Sequence, residues 1–158
     1  FATTATAEER NKLWKARHDL YWATLQLRPG AQGISTDVCV PISRLAEAVT
    51  GAQDKAAELG LLAPIVGHVG DGNFHSLVLI DMEDAGEVAR AEEFTAYLAD
   101  EAIRMDGTCT GEHGIGQGKM PYLIKELGAT PEFMAAIKGA LDPQGILNPG
   151  KIFGPQRG

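Results

Sequence analysis

The amino-acid sequence predicts an α+β fold: a ferredoxin-like antiparallel sheet with helices packed on one face, followed by C-terminal helices. The first observation is the order of the apolar patterns, which runs helix, strand, helix, strand, strand, helix along the chain. The second is a strong hairpin signal, Asp71-Gly72 between two apolar segments. With 158 residues, 44% of them hydrophobic and 22% charged, the chain can bury a core. We expect one domain over residues 1–158.

The first half of the chain carries two predicted helices with a strand between them. Residues 6–9 (TAEE) form a capping box that begins a helix, and residues 28–30 (RPG) end it. Apolar residues alternate over 37–42, which predicts a strand. Ser43 is the predicted cap of the second helix, and Gly60 ends that helix.

The second half begins with the hairpin, whose strands are predicted over residues 61–69 and 73–80. Asp84 begins a third helix that Gly107 closes. The apolar positions of that helix predict a single buried side: Ala91, Phe94, Leu98, Ala102 and Met105.

Two further helices are predicted after a glycine-rich loop. A short helix lies around residues 122–127, and Thr130 caps a last helix whose first position is Pro131. Asp142 stops this helix, and residues 148–151 (NPGK) have the composition of a turn.

Charge and composition exclude several classes of protein. The chain has 14 Lys and Arg against 21 Asp and Glu, so its net charge of −7 disfavours nucleic-acid binding. The longest apolar stretch, residues 59–69, is interrupted by Gly and Pro and is too short to span a bilayer. Two cysteines, Cys39 and Cys109, do not make a disulfide framework, which favours a reducing compartment.

Two histidines, His68 and His75, flank the predicted turn. If Asp71-Gly72 is a two-residue turn, the two histidines are directly opposed, with Cβ atoms about 5 Å apart on one face. Two imidazoles in this arrangement can share a divalent metal ion. The alternative is that they are unrelated polar residues near a turn, and the choice depends on the length of that turn.

A loop over residues 107–118 contains five glycines and exposes two adjacent polar residues, Glu112 and His113. Glu112 suits a third metal ligand, and His113 suits a general base because its ordinary pKa is near neutrality. The alternative is a loop with solvated polar side chains. Together with the histidine pair, the loop favours an active site.

Arg17 and Tyr21 lie one helical turn apart and therefore face the same way. A guanidinium beside a phenol suits a carboxylate substrate. The alternative is a surface arginine packed over a half-buried tyrosine, and the residues alone favour it.

Five motifs in order resemble a known family: residues 13–18 (LWKARH), 35–44 (STDVCVPISR), 68–75 (HVGDGNFH), 111–116 (GEHGIG) and 141–151 (LDPQGILNPGK). They resemble the C-terminal domain of FAD-linked oxidases of the vanillyl-alcohol oxidase superfamily, and within it the D-lactate dehydrogenase (cytochrome) type. The resemblance covers residues 13–153, nearly the whole chain.

The resemblance implies a role for each residue of the two candidate motifs. His68, His75 and Glu112 would hold a divalent metal, Zn²⁺ or Mn²⁺. His113 would take the hydroxyl proton of a D-2-hydroxy acid while a hydride passes from its α-carbon to the flavin. Metal coordination favours loss of that proton.

The resemblance also implies how the substrate and the flavin are bound. Arg17 would bind the substrate carboxylate with Tyr21 nearby, and the turn at Asn148 would approach the FAD. Ser35 and Leu77 stand near positions where relatives acting on D-2-hydroxyglutarate carry Lys and Asn. That difference favours a small monocarboxylic acid, most simply D-lactate oxidised to pyruvate.

Further expectations concern the state of the chain. The sequence carries no dinucleotide fingerprint and begins at Phe1, so we expect a fragment without its N-terminal FAD-binding domain, inactive alone. Its docking surface would be apolar and exposed, and a homodimer would cover it. The resemblance places a bacterial protein in the cytoplasm and a eukaryotic one in mitochondria.

Two other functions remain open on the residues alone. A stand-alone metal-dependent hydrolase needs only the histidine pair and Glu112, with the metal activating water. A noncatalytic ferredoxin-like interaction module would use its exposed sheet edge to pair with a partner.

Overall fold

A computed structural model describes residues 4–154 of the protein. Within that range the chain forms helices and short strands in the predicted α+β arrangement. The helices are α1 (Ala7–Leu25), α2 (Leu45–Glu58), α3 (Ala85–Arg104), α4 (Met120–Leu127) and α5 (Thr130–Leu141). The strands are β1 (Gln32–Ser35), β2 (Val38–Cys39), β3 (Ile65–His68) and β4 (Asn73–Ile80).

The sheet is antiparallel and is built around β4, its longest strand. One edge of β4 pairs with β1 near Ile80 and with β2 near Asn73, so β1 and β2 follow one another along the same edge. The other edge pairs with β3. The strand order explains why β4 is buried along almost its whole length.

The hydrophobic core lies between the sheet and the helices α2 and α3. Because side chains alternate along a strand, Phe74, Val78 and Ile80 of β4 all point to this side and are buried. The predicted stripe of α3 faces them, and Phe94 at its centre is fully buried. This packing confirms the α+β class and places α2 and α3 on one face of the sheet, whereas the prediction of helices on one face only was wrong for α1.

Helix α1 lies against the opposite face of β4, and the predicted capping box at Thr6 is present at its start. At its end, the side chains of Leu25 and Leu77 both pack against Gly33, where a Cβ would lie 3.3 and 2.9 Å from them. Arg28 then donates hydrogen bonds to both carboxylate oxygens of Glu87 and to the Leu79 carbonyl. These contacts fix the helix that carries Arg17 against the face that carries His75.

Three details of the predicted elements were wrong. Of the strand predicted over 37–42 only Val38–Cys39 forms, as β2, and β1 is an additional strand that ends before Thr36 and Asp37. Ser43 does not cap α2, because the chain first makes a 3₁₀ turn, Ile42–Arg44, after Pro41. Thr130 is the first residue of α5 rather than its cap.

The predicted register of the hairpin was also wrong. A 3₁₀ turn over Val69–Asp71 precedes Gly72, so the connection is longer than two residues. His68 pairs with Asn73, and His75 pairs with Val66. Gly72 has φ +75°, and a Cβ there would lie 2.0 Å from the Val40 carbonyl oxygen, so only glycine fits this turn.

The last helices leave much apolar surface in contact with solvent. Phe133, Ile137 and Leu141 follow one stripe of α5, and their exposed fractions are 72%, 62% and 77%. Ile146 and Leu147 continue this surface into the C-terminal turns. Among residues 4–154, no helix combines the length and the apolar character that crossing a bilayer requires.

Replacing Phe94 by alanine in the 158-residue chain should lower the free energy of unfolding by about 3–5 kcal/mol, because its ring is fully buried in the core. Phe133→Ala is the matched control, and its exposed ring predicts a change within about 0.5 kcal/mol. Urea denaturation measures both. Equal losses in the two variants would contradict the position of the core.

Candidate metal and substrate site

A cavity of about 330 Å³ lies between α1 and the face of β3 and β4 that points away from the core. Its walls carry most of the side chains that the sequence singled out. They include Arg17, Tyr21, Ser35, His68, His75, Leu77, Glu112 and His113. Residues from the first helix, the hairpin and the glycine-rich loop therefore meet in one place.

Three of these side chains can share one ion. His68, His75 and Glu112 each present a ligand atom, and the three atoms lie within 4.8 Å of one another. Glu112 Oε1 is 2.9 Å from His75 Nε2 and 3.5 Å from His68 Nε2. His75 is the most enclosed, with 12% of its side chain exposed, against 29% for His68 and 53% for Glu112.

The two histidines meet although they are not directly opposed. Asn73 is the partner of His68, and His75 lies two residues further along β4, on the same face. Diagonal neighbours of this kind remain within reach of long or aromatic side chains. The two imidazole centroids are 5.8 Å apart, with their planes at 90°.

The orientation of His75 is fixed by the main chain of Thr36. His75 Nδ1 donates a hydrogen bond to the Thr36 carbonyl oxygen at 3.1 Å, which assigns the proton to Nδ1. The lone pair is then on Nε2, the atom that faces Glu112. This arrangement is typical of metal-binding histidines, whose second nitrogen donates to a carbonyl or carboxylate.

The loop that carries Glu112 and His113 folds around the carboxylate of Asp37. Asp37 Oδ2 accepts hydrogen bonds from the backbone N–H groups of Gly111, Glu112 and His113 at 2.9, 3.0 and 2.9 Å. The Thr110 hydroxyl donates to the same oxygen at 2.9 Å. Successive N–H groups of this kind form a concave anion site, and here the anion is the protein's own side chain.

The charge of Asp37 is maintained by these donors. Burial of the carboxylate acts to raise its pKa, but the N–H of His113, the amide of Asn73 and the N–H of Glu112 together hold the pKa well below its usual range. Lys119 Nζ adds a positive charge 3.5 Å from Oδ2. Asp37 is therefore ionised throughout the neutral range.

His113 stands beside the three candidate ligands without joining them. Its ring stacks on His75, with centroids 5.1 Å apart and planes at 14°. It borders the cavity, and it is not one of the three residues whose ligand atoms converge. Its ring therefore borders both the cavity and the candidate ligand cluster.

Arg17 reaches the site from α1. Its Nη2 lies 3.2 Å from both ring nitrogens of His68, and its guanidinium lies 5.5 Å from the centre of the Trp14 ring. Tyr21 lines the same cavity one helical turn further on. The structure thus places Arg17 in the cavity rather than on an unrelated surface.

Asn148 is the one predicted site residue that lies elsewhere. It has φ +48° in a C-terminal turn and lines a separate groove with Lys138, Gln144 and Lys151. The nearby Ile152 N–H donates to the Gly116 carbonyl at 2.7 Å, which ties this segment to the glycine-rich loop. Its predicted approach to FAD remains a prediction.

Sequence reasoning missed Thr36, Asp37 and Asn73, which support the site from within the protein. The signal for Asp37 is a carboxylate at the start of an otherwise apolar segment, since residues 37–42 were predicted to form a strand. A charged residue in a buried segment requires partners. Its partners come from residues 110–113, a distance along the chain that no local pattern reveals.

Comparison with known proteins gives a consistent family. The sequence matches the family described as "FAD linked oxidases, C-terminal domain" over residues 1–152. It is 50% identical to the probable mitochondrial D-lactate dehydrogenase of Danio rerio over 97% of this chain and 31% of that protein. The mitochondrial D-lactate dehydrogenase [cytochrome] of Arabidopsis thaliana is 43% identical, over 94% of this chain and 26% of that protein.

Two further similarities widen the comparison. Glycolate oxidase subunit GlcD of Bacillus subtilis is 40% identical over 96% of this chain and 32% of that protein. A 4-ethylphenol oxidase structure from Gulosibacter chungangensis superposes with a TM-score of 0.67 at 20% identity, over 98% of this chain and 32% of that one. This likeness shows the fold. The chain spans about a third or less of the length of these relatives.

Proposed function

The chain belongs to the C-terminal domain family of the FAD-linked oxidases, and from this premise we propose that it forms the substrate- and metal-binding part of an FAD-dependent D-2-hydroxy-acid dehydrogenase. The substrate favoured by the site is D-lactate. The observation that carries the proposal is the meeting of His68, His75 and Glu112 with Arg17 and His113 around one cavity. Relatives named D-lactate dehydrogenase support the same reaction.

The proposed metal ligands are His68, His75 and Glu112, and their chemistry fits a divalent ion. Two imidazoles and a carboxylate are donors that Zn²⁺ and Mn²⁺ accept in proteins. The hydrogen bond of His75 to Thr36 already directs Nε2 toward Glu112. A divalent ion bound there supplies Lewis-acid chemistry that favours ionisation of a substrate hydroxyl.

The remaining side chains of the cavity have separate roles toward the substrate: Arg17 and Tyr21 bind it, and His113 accepts its proton. Arg17 binds the carboxylate through its guanidinium, and Tyr21 contributes from the next turn of α1. His113 accepts the hydroxyl proton at a ring nitrogen, because it borders the cavity but is outside the ligand cluster. FAD, held mainly by a separate N-terminal domain, supplies the hydride acceptor.

The walls of the cavity favour a small monocarboxylic acid. Leu20, Val66 and Leu77 present apolar side chains, and Arg17 is the one Lys or Arg among the lining residues of the described chain. A second substrate carboxylate would therefore find no further lysine or arginine among the cavity walls that the described chain provides. Ser35 also lines the cavity and carries no charge.

Assays of the complete flavoprotein, meaning the polypeptide that joins this chain to its FAD-binding domain, test the proposed function. We expect a higher kcat/KM for D-lactate than for L-lactate or D-2-hydroxyglutarate. Glycolate is the comparison substrate, since a relative is named glycolate oxidase subunit. Hydrolysis of esters or peptides without flavin reduction would favour a metal-dependent hydrolase and overturn the proposal.

Replacing Arg17 by alanine should raise KM for D-lactate by about 10-fold or more, since a charge-assisted hydrogen bond is worth about 1.5–3 kcal/mol. The bound metal should remain, because Arg17 contacts His68 but supplies no ligand atom of its own. Steady-state kinetics and metal analysis check both statements. Lys15→Ala is the control, since Lys15 pairs with Asp19 on the exposed side of the same helix. An unchanged KM would remove Arg17 from substrate binding.

The apolar surface of α5 supports docking of the FAD-binding domain. Active sites between domains need an interface on each partner, and exposed apolar patches mark such interfaces. Ile137→Asp should weaken this docking and lower flavin retention in the complete flavoprotein. The 158-residue chain carrying the same change should melt as before, because Ile137 is 62% exposed there. Full flavin retention by the variant would place the interface elsewhere.

A further inference from the structure

Two residues that support the candidate metal site, Thr36 and Asp37, lie side by side between β1 and β2. Thr36 provides the carbonyl that orients His75, and Asp37 provides the carboxylate around which the glycine-rich loop folds. Thr36 still donates its N–H to the Ser76 carbonyl at 2.9 Å, but the Ser76 N–H bonds to the Thr36 hydroxyl rather than to its carbonyl, which is bonded to His75.

The loop depends on Asp37 for its main-chain partners. Three consecutive amides, those of Gly111, Glu112 and His113, all donate to the one carboxylate. The loop contains no helix or strand that would satisfy them in another way. The side chain of Glu112 is 53% exposed, so packing does little to hold it in place.

Hydrogen-bond donors and the main chain of Gly111 closely surround Asp37. The Asn73 amide donates to Asp37 Oδ1 at 2.9 Å, and Lys119 Nζ donates to the Asp37 main-chain oxygen at 2.6 Å. Gly111 lies directly against this network: a Cβ there would be 1.7 Å from Asn73 Nδ2 and 2.8 Å from Asp37 Oδ1. The side chain of Asp37 is fully enclosed.

We propose that Asp37 is a positioning residue of the active site, which fixes Glu112 and His113 relative to His75 by binding the backbone N–H groups of their loop. It touches neither substrate nor metal ion and acts through the residues that do. The inference rests on the proposed function for the roles of Glu112 and His113, and on the hydrogen bonds of Asp37 for its own part.

The test substitutes Asp37→Asn in the complete flavoprotein. Every partner of the Asp37 carboxylate is a donor, so the NH₂ group of asparagine must face a donor in either orientation. The probe ion is Co²⁺, which takes the place of Zn²⁺ or Mn²⁺ and has an absorption spectrum. We expect the affinity of the candidate site for Co²⁺ to fall about 10–100-fold, as for other groups that orient metal ligands. The Co²⁺ absorption spectrum should change, and kcat should fall while KM for D-lactate changes little, because Arg17 stays in place.

Asp142→Asn is the matched control. Asp142 is also a buried carboxylate that accepts hydrogen bonds from backbone amides, those of Ile146 and Leu147. It lies outside the cavity that holds the candidate metal ligands. We expect the Co²⁺ affinity and spectrum of this variant to match the wild type, whatever its effect on stability.

Hydrogen exchange of the metal-free protein separates this inference from the proposed function. The amides of Gly111, Glu112 and His113 should lose protection in Asp37→Asn and keep it in Asp142→Asn. Retained protection in a folded Asp37→Asn protein would overturn the inference. Failure of the wild type to bind Co²⁺ would instead overturn the proposed metal site, and the exchange data would still decide the role of Asp37.

A second variant covers the case in which Asp37→Asn does not fold. Gly111→Ala leaves Asp37 and every candidate ligand in the chain, but its Cβ would displace the loop from the carboxylate. The same pattern is expected: weaker Co²⁺ binding, an altered spectrum and a lower kcat at nearly constant KM. Unchanged Co²⁺ binding and turnover in a folded Gly111→Ala protein would contradict the inference.

Discussion

Replacing His113 by alanine is expected to lower turnover of the complete flavoprotein by about 100-fold or more, the typical contribution of a general base, while the metal stays bound. His113 borders the cavity and stacks on His75, but its ring is not among the converging ligand atoms. Its removal therefore takes away a proton acceptor without opening the ligand set. Stopped-flow reduction of the flavin and metal analysis measure the two effects.

The neighbouring substitution, Glu112→Gln, should give the opposite pattern. The amide keeps the size of the side chain but loses the negative charge that a divalent cation favours, so metal affinity should fall. Activity should recover in part when metal is added in excess. Metal lost from His113→Ala but retained by Glu112→Gln would falsify this assignment, and full turnover in both variants would remove the loop from the mechanism.

Replacing His75 by alanine should abolish metal binding at micromolar concentrations of ion. His75 is the most enclosed of the three candidate ligands, and its Nδ1 is already bound to Thr36. Groups that merely orient a ligand contribute about 10–100-fold to affinity, so the loss of a ligand should exceed about 100-fold. Activity should fall with it, and isothermal titration with Zn²⁺ or Mn²⁺ measures the affinity.

His18→Ala is the control for the histidine variant. His18 is exposed on α1, next to Trp14 and one residue from Arg17, but it does not line the cavity. The control should bind metal and turn over as the wild type does. If His75→Ala bound metal as tightly as His18→Ala, the two-histidine site would be wrong.

The hairpin illustrates which part of the site could be predicted from the sequence. The predicted pairing of His68 with His75 was wrong by two residues, since His68 pairs with Asn73. A shift of one residue would have moved every side chain to the other face, but a shift of two preserves the face. The proximity of the two histidines therefore survived an error in the turn.

The turn itself could not be predicted from its two central residues. Asp71-Gly72 is typical of a two-residue hairpin turn, but the main chain of Gly72 also packs against the Val40 carbonyl. This tertiary contact accompanies a 3₁₀ turn over Val69–Asp71 and lengthens the connection. The buried stripe of α3, by contrast, depends only on helical periodicity, and all of its predicted positions are buried.

The role of Asp37 in holding the glycine-rich loop could not be predicted from local sequence patterns, for a different reason. Asp37 and His113 are 76 residues apart in the chain, and their hydrogen bond forms only after the sheet and the glycine-rich loop are in place.

Arg17 was assigned to a surface when judged on the residues alone. Arg17 reaches the cavity because α1 packs on the sheet. The ion pair of Arg28 with Glu87, just after the end of α1, helps to hold the helix there.

Anaerobic reduction of the flavin by D-lactate, before and after removal of the metal, tests the central claim most directly. The metal-loaded flavoprotein should be reduced rapidly by D-lactate and much more slowly by L-lactate. Stripping the metal with a chelator should abolish the rapid phase, and adding Zn²⁺ or Mn²⁺ back should restore it. Equal rates of reduction with and without metal would contradict the proposed role of His68, His75 and Glu112.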